Sequence, residues 1–167
     1  MKKLVLLMVF IAISSHSSDA QYALPKGANQ FNAGLGLSYW GIPIYIGLDH
    51  GVHKDISVGG ELSYRSFYDT YHDIDYRLNV FGISVNGNYH FNSLLNIPRN
   101  WDFYAGLNIG FYIWNLPPGY YGSHSTGLGL GAQIGGRYYF TNKFAVNLEF
   151  GGGNEFDDGK IGITVKL

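Results

Sequence analysis

The chain contains no cysteine among its 167 residues, so no disulfide framework can staple it. Charge is sparse, at 14% of residues, and nearly balanced, with 11 Lys and Arg against 12 Asp and Glu. A basic patch for nucleic acid has little to be built from, and no nucleic-acid partner is expected. No apolar run approaches the roughly 20 residues that a helix needs to cross a bilayer. The longest, Leu4 to Ile13, follows Lys2 and Lys3 and leads into a polar stretch with small residues at Ser18 and Ala20. That order of zones predicts a cleaved export signal over residues 1–20, leaving 21–167 as one domain. No helical periodicity, linker or low-complexity tail divides it.

What is abundant is glycine, with 24 residues, and aromatic side chains, at 17%, of which 14 are tyrosine. The glycines follow no G-X-Y period, which excludes collagen. They alternate with large apolar residues, the pattern of strands whose second face must stay small. Eight such strands are predicted, over residues 30–40, 42–48, 56–66, 76–91, 101–114, 126–140, 144–150 and 160–167. The fifth is the cleanest: Phe103, Ala105, Leu107, Ile109, Phe111 and Ile113 alternate with Asp102, Tyr104, Gly106, Asn108, Gly110 and Tyr112.

The stretch Gly135 to Phe150 reads as two strands around a turn at Thr141, Asn142 and Lys143. Tyr138, Phe140, Phe144, Val146, Leu148 and Phe150 share one face; Arg137 and Glu149 share the other. These two charges are expected to be near-neighbours that tie the hairpin together. A soluble barrel would turn the apolar face inward, whereas a membrane barrel shows it to lipid. A polar face of Gly, Asn, Ser and Tyr suits the cramped interior of an eight-stranded barrel better than a solvated surface. Aromatics gather near the strand ends, including Trp40, Tyr64, Trp101, Trp114, Tyr138, Phe140 and Phe144, as in the interfacial girdles of membrane barrels. The expected fold is therefore an all-β, eight-stranded antiparallel up-and-down transmembrane barrel. Turns at 49–55, 92–100 and 141–143 fall at one end, with loops at 40–41, 67–75, 115–125 and 151–159 at the other. A soluble lipocalin-like barrel with an apolar ligand cavity is the alternative.

The segment G-G-R-Y-Y-F-T-N-K-F-A-V-N-L-E-F-G-G-G, Gly135 to Gly153, resembles the penultimate hairpin of small bacterial outer-membrane β-barrel proteins. These form the outer membrane protein beta-barrel domain or porin-like group, of the architecture of the OmpX and OmpA barrels. The closing strand I-G-I-T-V-K-L is similar to the C-terminal strand read by the outer-membrane assembly machinery, though it ends in Leu167 where Phe is commonest. The resemblance implies a bacterial outer-membrane location, with membrane lipids and that machinery as partners. It implies no single activity.

Glu61, Arg65, Asp102, Arg137 and Glu149 fall on the inner face and are expected to form a charge network filling the lumen. The expected role is structural, or surface interaction through the outer loops with a ligand left open. A pore for small solutes or hydrophobic molecules is the alternative, and a lipid-modifying enzyme a third reading. No catalytic, cofactor or metal residue is assigned. His50 and His53 have H-x-x-H spacing without further ligands, and Asp69, His72, Asp73 and Asp75 lack a calcium-loop pattern. His124, Ser125 and Thr126 lack a third, orienting acid.

Overall fold

Alternation at period two forces each strand to present one face to each side, and eight such strands close on themselves. A computed structural model describes residues 24–38, 41–122, 125–153 and 159–167. The strands are β1 (Asn29–Leu37), β2 (Ile44–His53), β3 (Ile56–Tyr71), β4 (Ile74–His90), β5 (Trp101–Asn115), β6 (Gly127–Tyr139), β7 (Phe144–Gly153) and β8 (Gly159–Lys166). Each pairs antiparallel with the next, and β8 returns to β1 to close the barrel. Closure leaves no edge, so every strand finds a ladder partner on both sides, which a hydrocarbon surround demands.

The barrel is inside out relative to a soluble protein. Leu107 is 71% exposed and Ile134 61%, whereas Asp102 is fully buried and Arg137 only 3% exposed. On the outer surface Ile46 stands between Ala33 and Leu62, and Ile109 between Val85 and Leu130. A continuous apolar band of this kind, around a polar interior, requires lipid as its solvent. The chain is a transmembrane β-barrel.

Three connections differ from the sequence expectation. Residues 67–75 are strand almost throughout, because β3 and β4 pair without interruption from Ile56↔Tyr89 to Tyr71↔Ile74. Only His72 and Asp73 remain as the turn, both with positive φ (51° and 60°). That geometry gives the tight primed turn whose twist matches its strands. Similarly, β2 runs on to His53 with an irregularity at Gly51, so that turn shrinks to Lys54 and Asp55. The 92–100 connection holds a one-turn helix, α1 (Asn92–Leu95), which the strand reading did not anticipate. The expected export signal over 1–20, Trp40 and His124 lie outside the described residues.

Candidate functional site

The interior is where the chemistry gathers, and glycine makes room for it. A side chain at Gly135 would collide with the Tyr104 ring, and that ring fills the lumen from the opposite strand. Small residues on one strand thus accommodate large ones on the next, leaving little free space. Two small voids lie beside the charged side chains. One, of about 30 Å³, is lined by Tyr45, Glu61, Arg65, Tyr112 and Lys160 among others. The second, of about 20 Å³, is bordered by Asp49, Glu61, Tyr104, Arg137 and Lys160 among others. Each has room for about one or two waters.

Arg137 sits at the centre of one charged cluster. Its Nη1 donates to Asp102 Oδ2 at 3.0 Å and its Nη2 to Asp49 Oδ2 at 3.1 Å. The guanidinium also lies 4.2 Å from the centre of the Tyr104 ring. Asp49 Oδ2 additionally accepts from Gln30 Nε2 and Asn32 Nδ2, each at 2.9 Å. Asp102 Oδ1 meets His90 Nδ1 at 2.7 Å, and His90 Nε2 meets Ser57 Oγ at 2.9 Å.

Lys160 anchors a second cluster. Its Nζ contacts both oxygens of Glu61, at 2.7 and 2.9 Å, and lies 3.4 Å from Glu149. Glu149 Oε2 accepts from Tyr104 Oη at 2.8 Å, which joins the two clusters. A neutral ladder runs beside them: Asn108 Nδ2 donates to Gln133 Oε1, and Gln133 Nε2 donates to Asn88 Oδ1. Within the lumen Asp49 and Asp102 are paired with Arg137, and Glu61 and Glu149 with Lys160. Such pairing is close to obligatory, because an ion stripped of its partner in a low dielectric costs about 3–5 kcal/mol.

Of the five lumen residues singled out from sequence, Asp102 and Arg137 meet directly. Glu61 and Glu149 share Lys160. Arg65 stands apart near the opposite mouth, with its Nη1 donating to Ser38 Oγ at 3.3 Å. The expected Arg137–Glu149 tie across the hairpin is not formed. Arg137 pairs with Asn147 and Glu149 with Gly135 in the ladder, and each charge turns to a partner on another strand. Asp49, His90 and Lys160 were missed as members. Asp49 fell at the start of the 49–55 turn, and no local pattern gives His90 or Lys160 a partner.

The aromatic positions divide. Trp101 stacks on Phe103 with ring centres 5.3 Å apart, and Tyr138 meets Trp101 at 4.8 Å and Phe140 at 5.1 Å. Phe140 and Phe144 are exposed beside the β6–β7 turn, and Tyr64 lies against Phe81 on the outer wall. Trp114 departs from the expected girdle. It occupies an inward position of β5 and packs with Phe67 against Val80 and Tyr112, closing the lumen mouth with apolar side chains.

Beyond that mouth the β3–β4 hairpin projects, and the 116–122 segment folds onto it. Tyr120 lies 5.6 Å from Tyr71 and 5.5 Å from Tyr76, centre to centre. Its phenol donates to Asp69. Burial, reinforced by the Asp69 carboxylate, pushes that phenol up to about 12. Tyr68 and Tyr121, 70% and 82% exposed, stand free on the same end. At the other end, His50 bonds Asn29 and His53 approaches Asp55; no cluster of three metal-ligating side chains occurs among the described residues.

No family model and no curated protein matches the chain. Solved structures do. The outer membrane protein OprG from Pseudomonas aeruginosa superposes with a TM-score of 0.67 at 10% identity, over 89% of this chain and 99% of that one. Neisserial surface protein A gives 0.57 at 14% identity, over 84% and 94%. The N-terminal β-barrel domain of Pseudomonas aeruginosa OprF gives 0.55 at 16% identity, over 85% and 98%. At these identities the likeness is one of fold: the closed eight-stranded barrel of bacterial outer-membrane proteins.

Proposed function

We propose that this is a bacterial outer-membrane β-barrel, exported by its N-terminal signal, that does not act as a conducting pore. Its role is structural, or surface interaction through the outer hairpin, and the charged interior serves as a plug. The observation that carries this reading is the Lys160 bridge to Glu61 and Glu149. It lies between two voids, of about 30 and 20 Å³, neither of which passes more than single waters. Membrane lipids cover the apolar band, and the assembly machinery inserts the barrel. The short turns at Lys54–Asp55 and 140–143 face the periplasm, and the β3–β4 hairpin faces outward, in the usual sense of such barrels. Exposed Tyr68 and Tyr121 provide amphipathic contact area at low entropic cost, the property that suits tyrosine to recognition.

Single-channel recording in planar bilayers tests the plug. A silent wild-type barrel is expected. Reproducible conductance steps would move the assignment to the pore reading.

A further inference from the structure

At the periplasmic end of the lumen, Ser57, His90 and Asp102 stand in a line. Ser57 Oγ is 2.9 Å from His90 Nε2, and His90 Nδ1 is 2.7 Å from Asp102 Oδ1. A carboxylate only accepts, so Nδ1 carries the proton facing Asp102, and Nε2 of the neutral ring is left to accept from the serine hydroxyl. Arg137 holds the far oxygen of Asp102 at 3.0 Å, which fixes the carboxylate in place. This is the nucleophile–base–orienter geometry of activated serines, recognised by roles and distances.

Two further features complete it. Asn88 is directly opposite Ser57 in the β3–β4 ladder, and both side chains point inward. Asn88 Oδ1 is taken by Gln133, while its Nδ2 is buried with no hydrogen-bond partner among the described residues. An unspent buried amide donor beside a nucleophile is what a developing oxyanion requires. Ser57 also neighbours Gly51 across the β2–β3 ladder, and the chain ahead of β1 lies over that glycine. Gly27 N donates to Gly51 O at 2.7 Å, and Gly51 N to Ala28 O at 3.0 Å. A side chain at Gly51 would strike the Pro25 carbonyl, and Leu24 is only 2% exposed. The leader segment Leu24–Ala28 therefore caps the mouth next to Ser57.

We propose that Ser57, His90, Asp102 and Asn88 form an acyl-transfer site at this mouth, acting on small acyl esters when the leader lifts away. Ser57 Oγ attacks the ester carbonyl carbon while its proton passes to His90 Nε2, and Asn88 Nδ2 donates to the carbonyl oxygen as it becomes negative. The carbon–oxygen bond to the alcohol then breaks, and the leaving alkoxide takes the proton from His90. A water, deprotonated by the same nitrogen, releases the acid and restores Ser57. The substrate is small because only the leader's volume can be vacated there. That the mouth opens to the periplasm rests on the orientation proposed above; the chemistry of the site does not.

Diisopropyl fluorophosphate, which loses fluoride to an activated serine, is the probe, with intact mass and peptide mapping as readout. The full-length mature barrel in detergent is compared with a variant lacking Leu24–Ala28, each shown to be folded by heat-modifiable migration. An adduct on Ser57 is expected, forming faster without the leader, abolished in Ser57→Ala. The rate should fall on the order of a hundredfold in His90→Ala, and comparably in Asn88→Ala. His90→Gln, which keeps hydrogen-bonding capacity without a basic nitrogen, replaces His90→Ala if that variant does not fold. Absence of a Ser57 adduct from both folded proteins would overturn the proposal. So would an adduct whose rate is indifferent to His90. Conductance could fail its expectation without touching either result.

Discussion

Arg137 and Asp49 are 88 residues apart in the chain and meet across the lumen at 3.1 Å. With Asp102 as the other partner, the guanidinium bridges β2, β5 and β6 from within. The filled interior is thus a set of cross-braces, each carrying a penalty if one end is removed.

Arg137→Ala should be the most damaging single change in the lumen. It leaves Asp49 and Asp102 buried without their cation, an expected loss of about 3–5 kcal/mol. Urea unfolding in detergent, followed by tryptophan fluorescence, measures it; a midpoint equal to that of the wild type would remove Arg137 from the brace.

Glu149→Ala should lower the melting temperature by less, because Lys160 keeps both oxygens of Glu61. Lys160→Met should cost more than Glu149→Ala, since it brings Glu61 and Glu149 together with no cation. The triple change Glu61→Gln, Lys160→Met, Glu149→Gln should recover part of that loss, the non-additivity expected of coupled charges. Heat-modifiable gel migration across a temperature series gives the order. Additive losses would show that the three do not act as one bridge.

Gly135→Ala should impair folding severely, because the Tyr104 ring it would meet is fully buried and held by Glu149. Gly87→Ala, on the lipid face with open space around the added methyl, should refold like the wild type. Equal refolding yields into lipid vesicles would refute the close fit at Gly135.

Tyr120 makes the outer loops sensitive to strong alkali. Its phenol is raised from the ordinary value near 10 to about 12. The neutral, donating form is therefore favoured by the fold. The stabilisation is fully present below pH of about 10 and is lost as pH rises through about 12. In ultraviolet titration, one tyrosine of the wild type should ionise later than in Tyr120→Phe. Superimposable curves would break the Tyr120–Asp69 link.

Much of this was legible in the order of residues. Alternation along Phe103 to Tyr112 set which side chains face lipid and which face in, since a strand offers only two faces. It also placed Asp102, Arg137 and Glu149 inward. Partners were not legible. Arg137 reaches Asp49 because the barrel closes and staggers its strands, and no local pattern records the height at which two inner faces meet. Strand ends were misjudged for a similar reason. Phe67 to Asp75 reads as a polar and aromatic loop because neither face of a hairpin projecting beyond the membrane needs to be apolar. Trp114 resembled an interfacial anchor by residue type, yet its parity on β5 turns it toward Phe67 and Val80. The Ser57, His90 and Asp102 line comes from three strands, none of which carries a motif.

The inverted barrel itself is tested most directly by site-directed spin labelling, for which the absence of native cysteine leaves a clean background. Single cysteines would be placed at Ile109 in the apolar band, at Asn147 in the lumen and at Tyr121 on the outer end, in protein reconstituted in bilayers. A nitroxide at Ile109 should be reached by oxygen and shielded from a water-soluble nickel complex; at Tyr121 the preference should reverse; at Asn147 both should be excluded. Exclusion of both oxygen and nickel at Ile109, with nickel reaching Asn147, would mean that the apolar side chains face an interior core, and would contradict the account.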